Sequence, residues 1–388
     1  MPPKRIVLIG GGHTHALVLH ELRSAPLENT ELQVINPGTT APYSGMLPGF
    51  VAGHYRRDEL DIDLASLTRR VRAELIDGRA IAMDPAAKRI LLDDGTELFF
   101  DVASLDVGIT SEMPQLEGFA SHGIPAKPLA GFAERWESYR GSAGIKSIVV
   151  IGGGIAGAEL SIAMSYALHS LGHQASVKLL DRGRILAVNS IRTQRRVRKE
   201  LSRNHVDVIE NVVVQRVTET SVVLDDETRL EANFVVGAAG ATPHPWLKDT
   251  GLGLHEGFIV VDRSLQSSVV GVFAVGDCAH LAFDPRPKAG VFAVRQAPVL
   301  LENLRRTARG APLLRYKPQK DYLKLVSLGG KKAFGEKHGL GFSGRMMWRL
   351  KDSIDRRFMR QFRDTDQINE ASSVHPDSRG GFQGHMKR

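Results

Sequence analysis

Residues 5–22 read RIVLIGGGHTHALVLHEL, and this stretch decides the fold. A β-branched run meets three glycines at 10–12, after which Ala16, Leu19 and Leu22 recur at helical spacing. Glycine is needed in such a turn because the backbone takes angles that side chains forbid, and because a pyrophosphate can then approach the amides at the positive end of the helix. The stretch therefore predicts a strand, a tight turn and a helix that together bind a dinucleotide.

The same pattern recurs at residues 148–160, IVVIGGGIAGAEL, where Gly152, Gly154 and Gly157 complete the glycine fingerprint. In the first copy His15 stands where the third glycine would be. Strands and helices alternate in matching order after each copy, which indicates an internal repeat of whole domains with parallel, doubly wound sheets. Two such sites on one chain predict two bound dinucleotides.

The second strand of the first unit ends at Asn36, where the usual fingerprint has an acid for a ribose hydroxyl. An amide can still hydrogen-bond a diol, so Asn36 stays a candidate ligand. The Gly/Pro-rich residues 37–55 follow and contain Tyr43. They are either a surface connection or a loop that covers the ligand, and both readings stay open. Residues 60–73 then predict one helix.

Composition limits the function classes. The 388 residues suit two or three domains, and the single cysteine, Cys278, excludes an intramolecular disulfide, a CxxC redox pair and a multi-cysteine metal site. The formal charge of +8 suits nucleic acid, an anionic membrane surface or anionic cofactors, and nothing resembling a nucleic-acid fold is present. Without a membrane-length apolar run or signal-peptide features, we expect a cytoplasmic protein that does not bind nucleic acid.

Five segments occur in the order typical of one superfamily. They are the first glycine turn, the ATG-like residues 105–110, the second glycine motif, the turn at 238–243 and FAVGDCA at 273–279. The chain thus resembles the two-dinucleotide-binding flavoproteins of the pyridine nucleotide-disulfide oxidoreductase superfamily over roughly residues 5–310, and within it the type II NADH dehydrogenase branch. GGGHTH, PYSGMLPG and WRLKDSIDRRFM more particularly resemble the flavoprotein module fused to selenide, water dikinase, although no kinase portion is present.

The resemblance implies an α/β fold with two Rossmann-like (glutathione reductase-type) domains and a small C-terminal domain. We expect an FAD-binding domain at 1–111 and 238–312, an NAD(P)H-binding domain at 112–237, a C-terminal domain at 313–369 and a disordered tail at 370–388.

The resemblance also implies roles for individual residues. Gly10 and Gly12 would take the FAD pyrophosphate, Asp277 the ribityl chain, and Gly152, Gly154 and Gly157 would take NAD(P)H. The full set of expected cofactor-binding residues is Gly10, Gly12, His13, Asn36, Tyr43, Gly108, Gly152, Gly154, Gly157, Asp181, Gly240, Gly276, Asp277 and Val291. Asp181 favours NADH, whereas the neighbouring Arg182 would suit a 2′-phosphate.

The expected activity is that of an FAD-dependent NAD(P)H dehydrogenase, which passes hydride from NAD(P)H to FAD and electrons on to a quinone. A second cysteine is lacking, so a redox-disulfide relay and sulfide:quinone chemistry are excluded. Glu159 stands where related enzymes place an acid near the nicotinamide, although a carboxylate there also suits the helix dipole. Gln296, with Phe292 and Pro298, would line a quinone pocket, and helix packing explains these three equally well.

Two other function classes stay open. The chain could be an FAD-binding redox accessory protein that serves a protein partner or selenium metabolism, or a non-redox nucleotide scaffold. The Gly-Asp turn at Gly276 and Asp277 disfavours the scaffold, because it matters mainly for flavin. A metal site at His13 and His15 is not expected, since no acid or thiol lies near them in sequence, and Cys278 is expected to be a packed small residue.

A basic amphipathic helix is expected at residues 345–362. Its apolar stripe comprises Met347, Leu350, Ile354, Phe358 and Phe362, and Arg345, Arg349, Arg356 and Arg360 dominate elsewhere. Such a helix can lie on an anionic membrane, where a quinone reductase would meet its acceptor. The alternative is that the stripe packs onto the C-terminal domain or onto a second subunit in a homodimer.

Overall fold

The structure is a computed structural model that describes residues 2–363, so the tail predicted at 370–388 lies outside the described residues. Through residue 105 the elements are β1 (Lys4–Ile9), α1 (His13–Leu22), β2 (Thr30–Asn36), β3 (Thr40–Pro42), α2 (Leu47–Val51), α3 (Arg57–Leu60), β4 (Asp61–Asp63), α4 (Leu64–Arg70), β5 (Glu74–Asp77), β6 (Ala80–Asp84), β7 (Arg89–Leu92), β8 (Glu97–Phe99) and β9 (Val102–Leu105). Through residue 237 they are α5 (Phe119–His122), β10 (Gly123–Pro125), α6 (Leu129–Gly141), β11 (Lys146–Ile151), α7 (Ile155–Ser170), β12 (Ala175–Asp181), α8 (Ile191–Arg203), β13 (Val206–Glu210), β14 (Val214–Val217), β15 (Ser221–Leu224), β16 (Arg229–Glu231) and β17 (Phe234–Gly237). The remainder comprises β18 (Leu254–His255), β19 (Phe258–Val261), β20 (Val272–Ala274), β21 (Ala279–Leu281), α9 (Gly290–Arg309), β22 (Lys324–Ser327), β23 (Ala333–Lys337), β24 (Leu340–Gly344) and α10 (Arg345–Arg360).

Two parallel five-stranded sheets form the framework, and four strands of each sheet follow the same order. The first is β20-β9-β1-β2-β5 and the second is β10-β17-β11-β12-β13. Each unit carries an antiparallel three-stranded insertion, β6-β7-β8 before β9 in the first unit and β14-β15-β16 before β17 in the second. The internal repeat and the mixed α/β class predicted from the sequence are confirmed.

The central strands are apolar on both faces because helices cover both sides of each sheet. The residues of β1 from Ile6 to Ile9 are at most 1% exposed, and Ile148, Val149 and Val150 of β11 are fully buried. One strand of the first sheet, β20, comes from beyond the second unit and pairs with β9 in parallel. The first unit is therefore completed only by chain that follows the second.

The helix predicted at 60–73 is shorter than expected. Residues 61–63 form β4 instead, which pairs antiparallel with β3. The Asp63 carboxylate then accepts the amide of Ser66 at 2.8 Å and caps α4. Because an N-cap residue keeps an extended backbone, the helix cannot begin before Leu64.

The C-terminal piece is a three-stranded antiparallel sheet, β22-β23-β24, followed by α10. Gly329 and Gly330 both have positive φ in the turn between β22 and β23, a conformation that favours glycine. The inward face of α10 carries Lys351, Asp355 and Met359, which are all buried. This helix packs on the sheet and reaches the loop that follows β3.

Candidate functional site

A cavity of about 940 Å³ opens beside the first glycine turn, and its volume lies in the upper range for small-molecule sites. Of the predicted residues, those in its wall are Gly10, Gly12, His13, Asn36, Gly108, Glu159, Gly240, Gly276 and Asp277. Those outside its wall are Tyr43, Gly152, Gly154, Gly157, Asp181, Val291 and Gln296. Since Glu159 belongs to α7, the helix that starts at the second glycine turn, the cavity joins the two repeats.

The two glycine turns are held in the same way. The amide of Gly11 donates to Asn36 Oδ1 at 2.9 Å, and the amide of Gly153 donates to Asp181 Oδ2 at 2.6 Å. The Asn36 amide nitrogen also donates to the carbonyls of Pro37, Gly38 and Thr40. The Asn36 side chain thus hydrogen-bonds to the backbone of the first glycine turn and of its own loop. At the second turn one Asp181 oxygen accepts the amide of Gly153 and the other accepts the amide of Gly183.

The third position of the fingerprint differs between the repeats. A Cβ on Gly157 would lie 1.9 Å from the carbonyl oxygen of Gly152, so only glycine fits there. In the first repeat, His15 Nδ1 contacts the Gly10 carbonyl at 2.7 Å and Nε2 contacts Ser104 Oγ at 2.8 Å. Burial lowers the pKa of His15 to about 4, so the ring is neutral, Nδ1–H donates to the carbonyl and Nε2 accepts from the hydroxyl. Both ring nitrogens are occupied by these structural hydrogen bonds.

The Gly-Asp turn also lines the cavity. Asp277 Oδ2 accepts a hydrogen bond from Lys127 Nζ at 3.0 Å, and both residues line the cavity. The Gly276 amide donates to Gln296 Oε1 at 2.7 Å, and Gln296 is 2% exposed. This geometry favours a structural role for Gln296, which fixes the turn. Pro298, predicted beside it, is exposed on the far side of α9.

Other predicted ligands occupy the ends of elements. Helix α9 begins at Gly290, and the residues at its N-terminus, Ala289 and Gly290, line the cavity. Gly108 and Gly240 have φ of +69° and +72°, and each lies three residues beyond the end of a strand, β9 and β17 respectively. Anionic groups are stabilised at helix N-termini, so the start of α9 suits a group that becomes negative on reduction.

Glu159 is the buried carboxyl at the junction of the repeats. Burial raises its pKa to about 7, nearby Lys351 opposes the shift, and Oε1 accepts the amide of Ser327 at 2.5 Å. Lys351 also donates to Asp355 at 2.7 Å. Sequence reasoning missed Lys351 and Asp355 as neighbours of the site, because they arrive on α10 from the end of the chain.

His13 and Tyr43 belong to an aromatic cluster behind the cavity. Tyr43 stacks on Phe358 of α10 with ring centroids 4.4 Å apart, and its hydroxyl donates to Asp355 at 3.2 Å. His13 packs edge-on against Tyr43, and burial lowers its pKa to about 4. The loop at 37–55 is therefore clamped between the first glycine turn and α10.

Asp106 is a further cavity residue that sequence reasoning overlooked. Its carboxylate Oδ2 accepts the amides of Thr14 at 2.9 Å and His15 at 3.2 Å, and it lines the cavity. Burial raises its pKa to about 7. The available signal was the acid at the second position before Gly108, inside the ATG-like segment.

Cys278 is fully buried beneath this turn, where burial raises the pKa of its thiol to about 12 and Sγ donates to the Val275 carbonyl. Within residues 2–363, no helix is both long enough and apolar enough to cross a membrane.

Comparison with known proteins agrees with this architecture. The family model described as pyridine nucleotide-disulphide oxidoreductase matches residues 4–297. The chain is 23% identical over 369 residues to the NADH dehydrogenase-like protein YutJ of Bacillus subtilis, covering 90% of this chain and 97% of that protein. It is 22% identical over 385 residues to the type II NADH:quinone oxidoreductase of Staphylococcus saprophyticus, covering 91% and 94%.

Among solved structures, the NDH2 of Plasmodium falciparum in complex with NADH superimposes with a TM-score of 0.74 at 12% identity, covering 96% of this chain and 99% of that one. The two named relatives confirm the resemblance to the type II NADH dehydrogenase branch, whereas the likeness to the module fused to selenide, water dikinase stays a prediction. The two repeated dinucleotide folds share a cavity, and the family model spans both of them. The chain therefore belongs to the pyridine nucleotide-disulphide oxidoreductase family.

Proposed function

We propose that this oxidoreductase takes hydride from NAD(P)H at the second glycine turn and passes electrons to a quinone. The observation that carries the proposal is the shared cavity, which Ala156 and Glu159 of α7 line together with Gly10 and Asp277. Bound FAD would supply the redox chemistry, since it accepts a hydride and releases electrons to a quinone. The residues of this chain supply position and electrostatics.

The residues present fit such a flavin. The amides of Gly12 and His13 find no acceptor among the described residues, so both are available to a phosphate at the start of α1. Asp277 offers a carboxylate to the ribityl hydroxyls, and the start of α9 offers a positive dipole end. Lys127 adds a cation between these groups.

The donor site is proposed at the start of α7. Gly154 is its N-cap residue, and no atom lies within 4 Å of a Cβ built there, so a phosphate can approach the helix end. The Asp181 carboxylate ends β12 beside this turn, which favours the ribose diol of NADH, while Arg182 is exposed. We therefore propose NADH as the preferred donor.

The acceptor is proposed to be a quinone because one relative that matches nearly end to end, that of Staphylococcus saprophyticus, carries that activity in its name. A protein with one buried cysteine has no disulfide relay, so electrons must leave the flavin directly. Glu159, with its pKa near neutrality, is placed to hold a proton at the cavity wall.

The outer face of α10 supports a position at a membrane surface. Only part of the predicted stripe is buried, since Phe358 and Phe362 pack inward whereas Leu350 and Ile354 are each 43% exposed. Further exposed apolar side chains lie on the same helix and on the preceding hairpin, and they are Leu340, Phe342 and Met346. Exposed Arg345, Arg349 and Arg357 accompany them. We propose that this surface contacts anionic lipid.

The activity is tested by anaerobic titration of the flavin-loaded protein with NADH and NADPH, followed by a short-chain quinone. Bleaching of the flavin bands by NADH and their recovery on quinone addition are expected. Bleaching without recovery would instead indicate a protein acceptor, as for a redox accessory protein. Absence of flavin binding, even with added FAD, would overturn the proposal.

The membrane surface is tested by flotation with vesicles that contain phosphatidylglycerol. The double variant Leu350→Glu, Ile354→Glu should lose flotation and keep its flavin spectrum. The matched control Val213→Glu, Val270→Glu changes two apolar residues that are more exposed than this pair and lie outside α10 and its hairpin. Flotation that survives the first pair, or a concentration-dependent dimer that disappears with it, would contradict lipid contact.

A further inference from the structure

The two glycine turns of this chain provide an internal comparison. They differ at the third fingerprint position, which is His15 in the first turn and Gly157 in the second. They also differ two places before Gly108 and Gly240, where the first unit has Asp106 and the second has Ala238. At both positions the first unit has a polar side chain near the start of α1, whereas the second unit has glycine or alanine near the start of α7. The two residues are in contact, because the Asp106 carboxylate accepts the backbone amide of His15.

The Asp106 carboxyl occupies the start of α1. It accepts the second and third amides of the helix, those of Thr14 and His15. A Cβ built on Gly12 would lie 2.2 Å from Asp106 Cγ, and one on Gly276 would lie 2.3 Å from Oδ1. The carboxyl therefore fills the space between the glycine turn and the Gly-Asp turn, in contact with both.

The positive charge near Asp106 comes from two lysines, one of which is paired with a carboxylate. Asp277 faces it across the Gly-Asp turn and disfavours its ionisation, and Lys127 is paired with Asp277. His13 and His15 on α1 are neutral because burial lowers the pKa of each to about 4. Cys278 keeps its proton, and Lys288, which also lines the cavity, donates to the Ala279 carbonyl. A dianionic pyrophosphate at this turn would add like charge beside two carboxyls.

We propose that Asp106 binds a proton when a dinucleotide pyrophosphate occupies the first glycine turn, so that this turn, unlike the second, releases its cofactor as the pH rises. The inference rests on the proposed placement of FAD there. A protonated carboxyl keeps an oxygen that accepts the two helix amides and gains one O–H donor, whereas an ionised one repels the phosphates. At the second turn Ala238 has no proton to exchange.

The test measures how FAD binding to flavin-stripped protein depends on pH, with quenching of flavin fluorescence as the signal of binding. The pKa of Asp106 in the free protein is raised to about 7. If protonation is required, the dissociation constant should rise roughly thirtyfold between pH 6 and 8.5. Calorimetry at pH 8 in buffers of different ionisation enthalpy should report the uptake of about one proton per FAD.

The variant Asp106→Asn keeps an oxygen for both amides and cannot ionise, so its FAD affinity should be nearly constant over the same range, with no proton uptake. Asp106→Ala, which copies Ala238, is the second variant in case the amide is not tolerated. Asp101→Asn is the matched control, because Asp101 flanks the opposite end of β9 and is largely exposed.

Three outcomes separate the possibilities. A steep pH dependence in the wild type and Asp101→Asn that disappears in the Asp106 variants supports the proposal. An equal slope in all variants, or a flat profile in the wild type, overturns it and leaves the flavin site intact. Failure to bind FAD at every pH overturns the flavin placement itself.

Discussion

Replacing Glu159 with glutamine should change how stability depends on pH. The side chain is buried, and its pKa is raised from 4.5 to about 7, mainly by burial. Between these values the folded chain keeps a proton that the unfolded chain has released, so the free energy of unfolding falls as pH rises. The loss is about 1.4 kcal/mol per unit, or about 3 kcal/mol in total once the pH exceeds 7.

Glu159→Gln should avoid this loss, because an amide accepts the Ser327 N–H without a charge. We expect the variant to match the wild type near pH 5 and to be more stable by about 3 kcal/mol at pH 8, measured by urea unfolding of flavin-free protein. Titration of Asp106 affects both proteins equally and cancels in the difference. Glu231→Gln, an exposed carboxylate on β16, is the control and should leave the profile unchanged. A stability difference for Glu159→Gln that stays constant from pH 5 to 8 would refute the reasoning.

Three further expectations follow from buried hydrogen bonds and charges. Asp181→Ala should raise the KM for NADH about tenfold with little effect on flavin content, since the second turn loses its acceptor; an unchanged KM in steady-state kinetics would exclude that role. Asp355→Ala leaves the buried Lys351 ammonium without its carboxylate and should lower the free energy of unfolding by about 3 kcal/mol in urea titrations, whereas a loss below about 1 kcal/mol would show that water reaches the pair. His15→Ala should cost about 2 kcal/mol, because the Gly10 carbonyl loses a buried donor; thermal unfolding that matches the wild type would contradict this.

The two strand–turn–helix units could be predicted because their determinants are local. A β-branched run, a turn that only glycine fits, and apolar residues at helical spacing lie within some twenty positions of one another in each unit. The shortened α4 could not be predicted in this way. Its start depends on the pairing of β4 with β3, and this pairing involves a strand more than twenty residues earlier.

The chemistry of the site depended more on distant contacts. Asp106 accepts amides from residues more than ninety positions away, and Lys351 approaches Glu159 from the last helix of the chain. Gln296 lies on an amphipathic helix, where a residue that lines a pocket and one that fixes a turn have the same spacing. Only the hydrogen bond to Gly276 distinguishes them. The domain limits and the individual cofactor contacts stay predictions.

The position of β20 has a consequence for synthesis on the ribosome. Strand β9 ends at Leu105, but the strand that covers its open side begins at Val272. A nascent chain that does not yet include β20 exposes unpaired backbone groups along β9. Such an edge is a template for pairing with other chains. The second unit can complete its own sheet first, so the unit translated first is the last to close. A fragment that ends after residue 111 would accordingly contain four of the five strands of this sheet and would be prone to aggregation. The first unit therefore cannot be excised as one continuous segment.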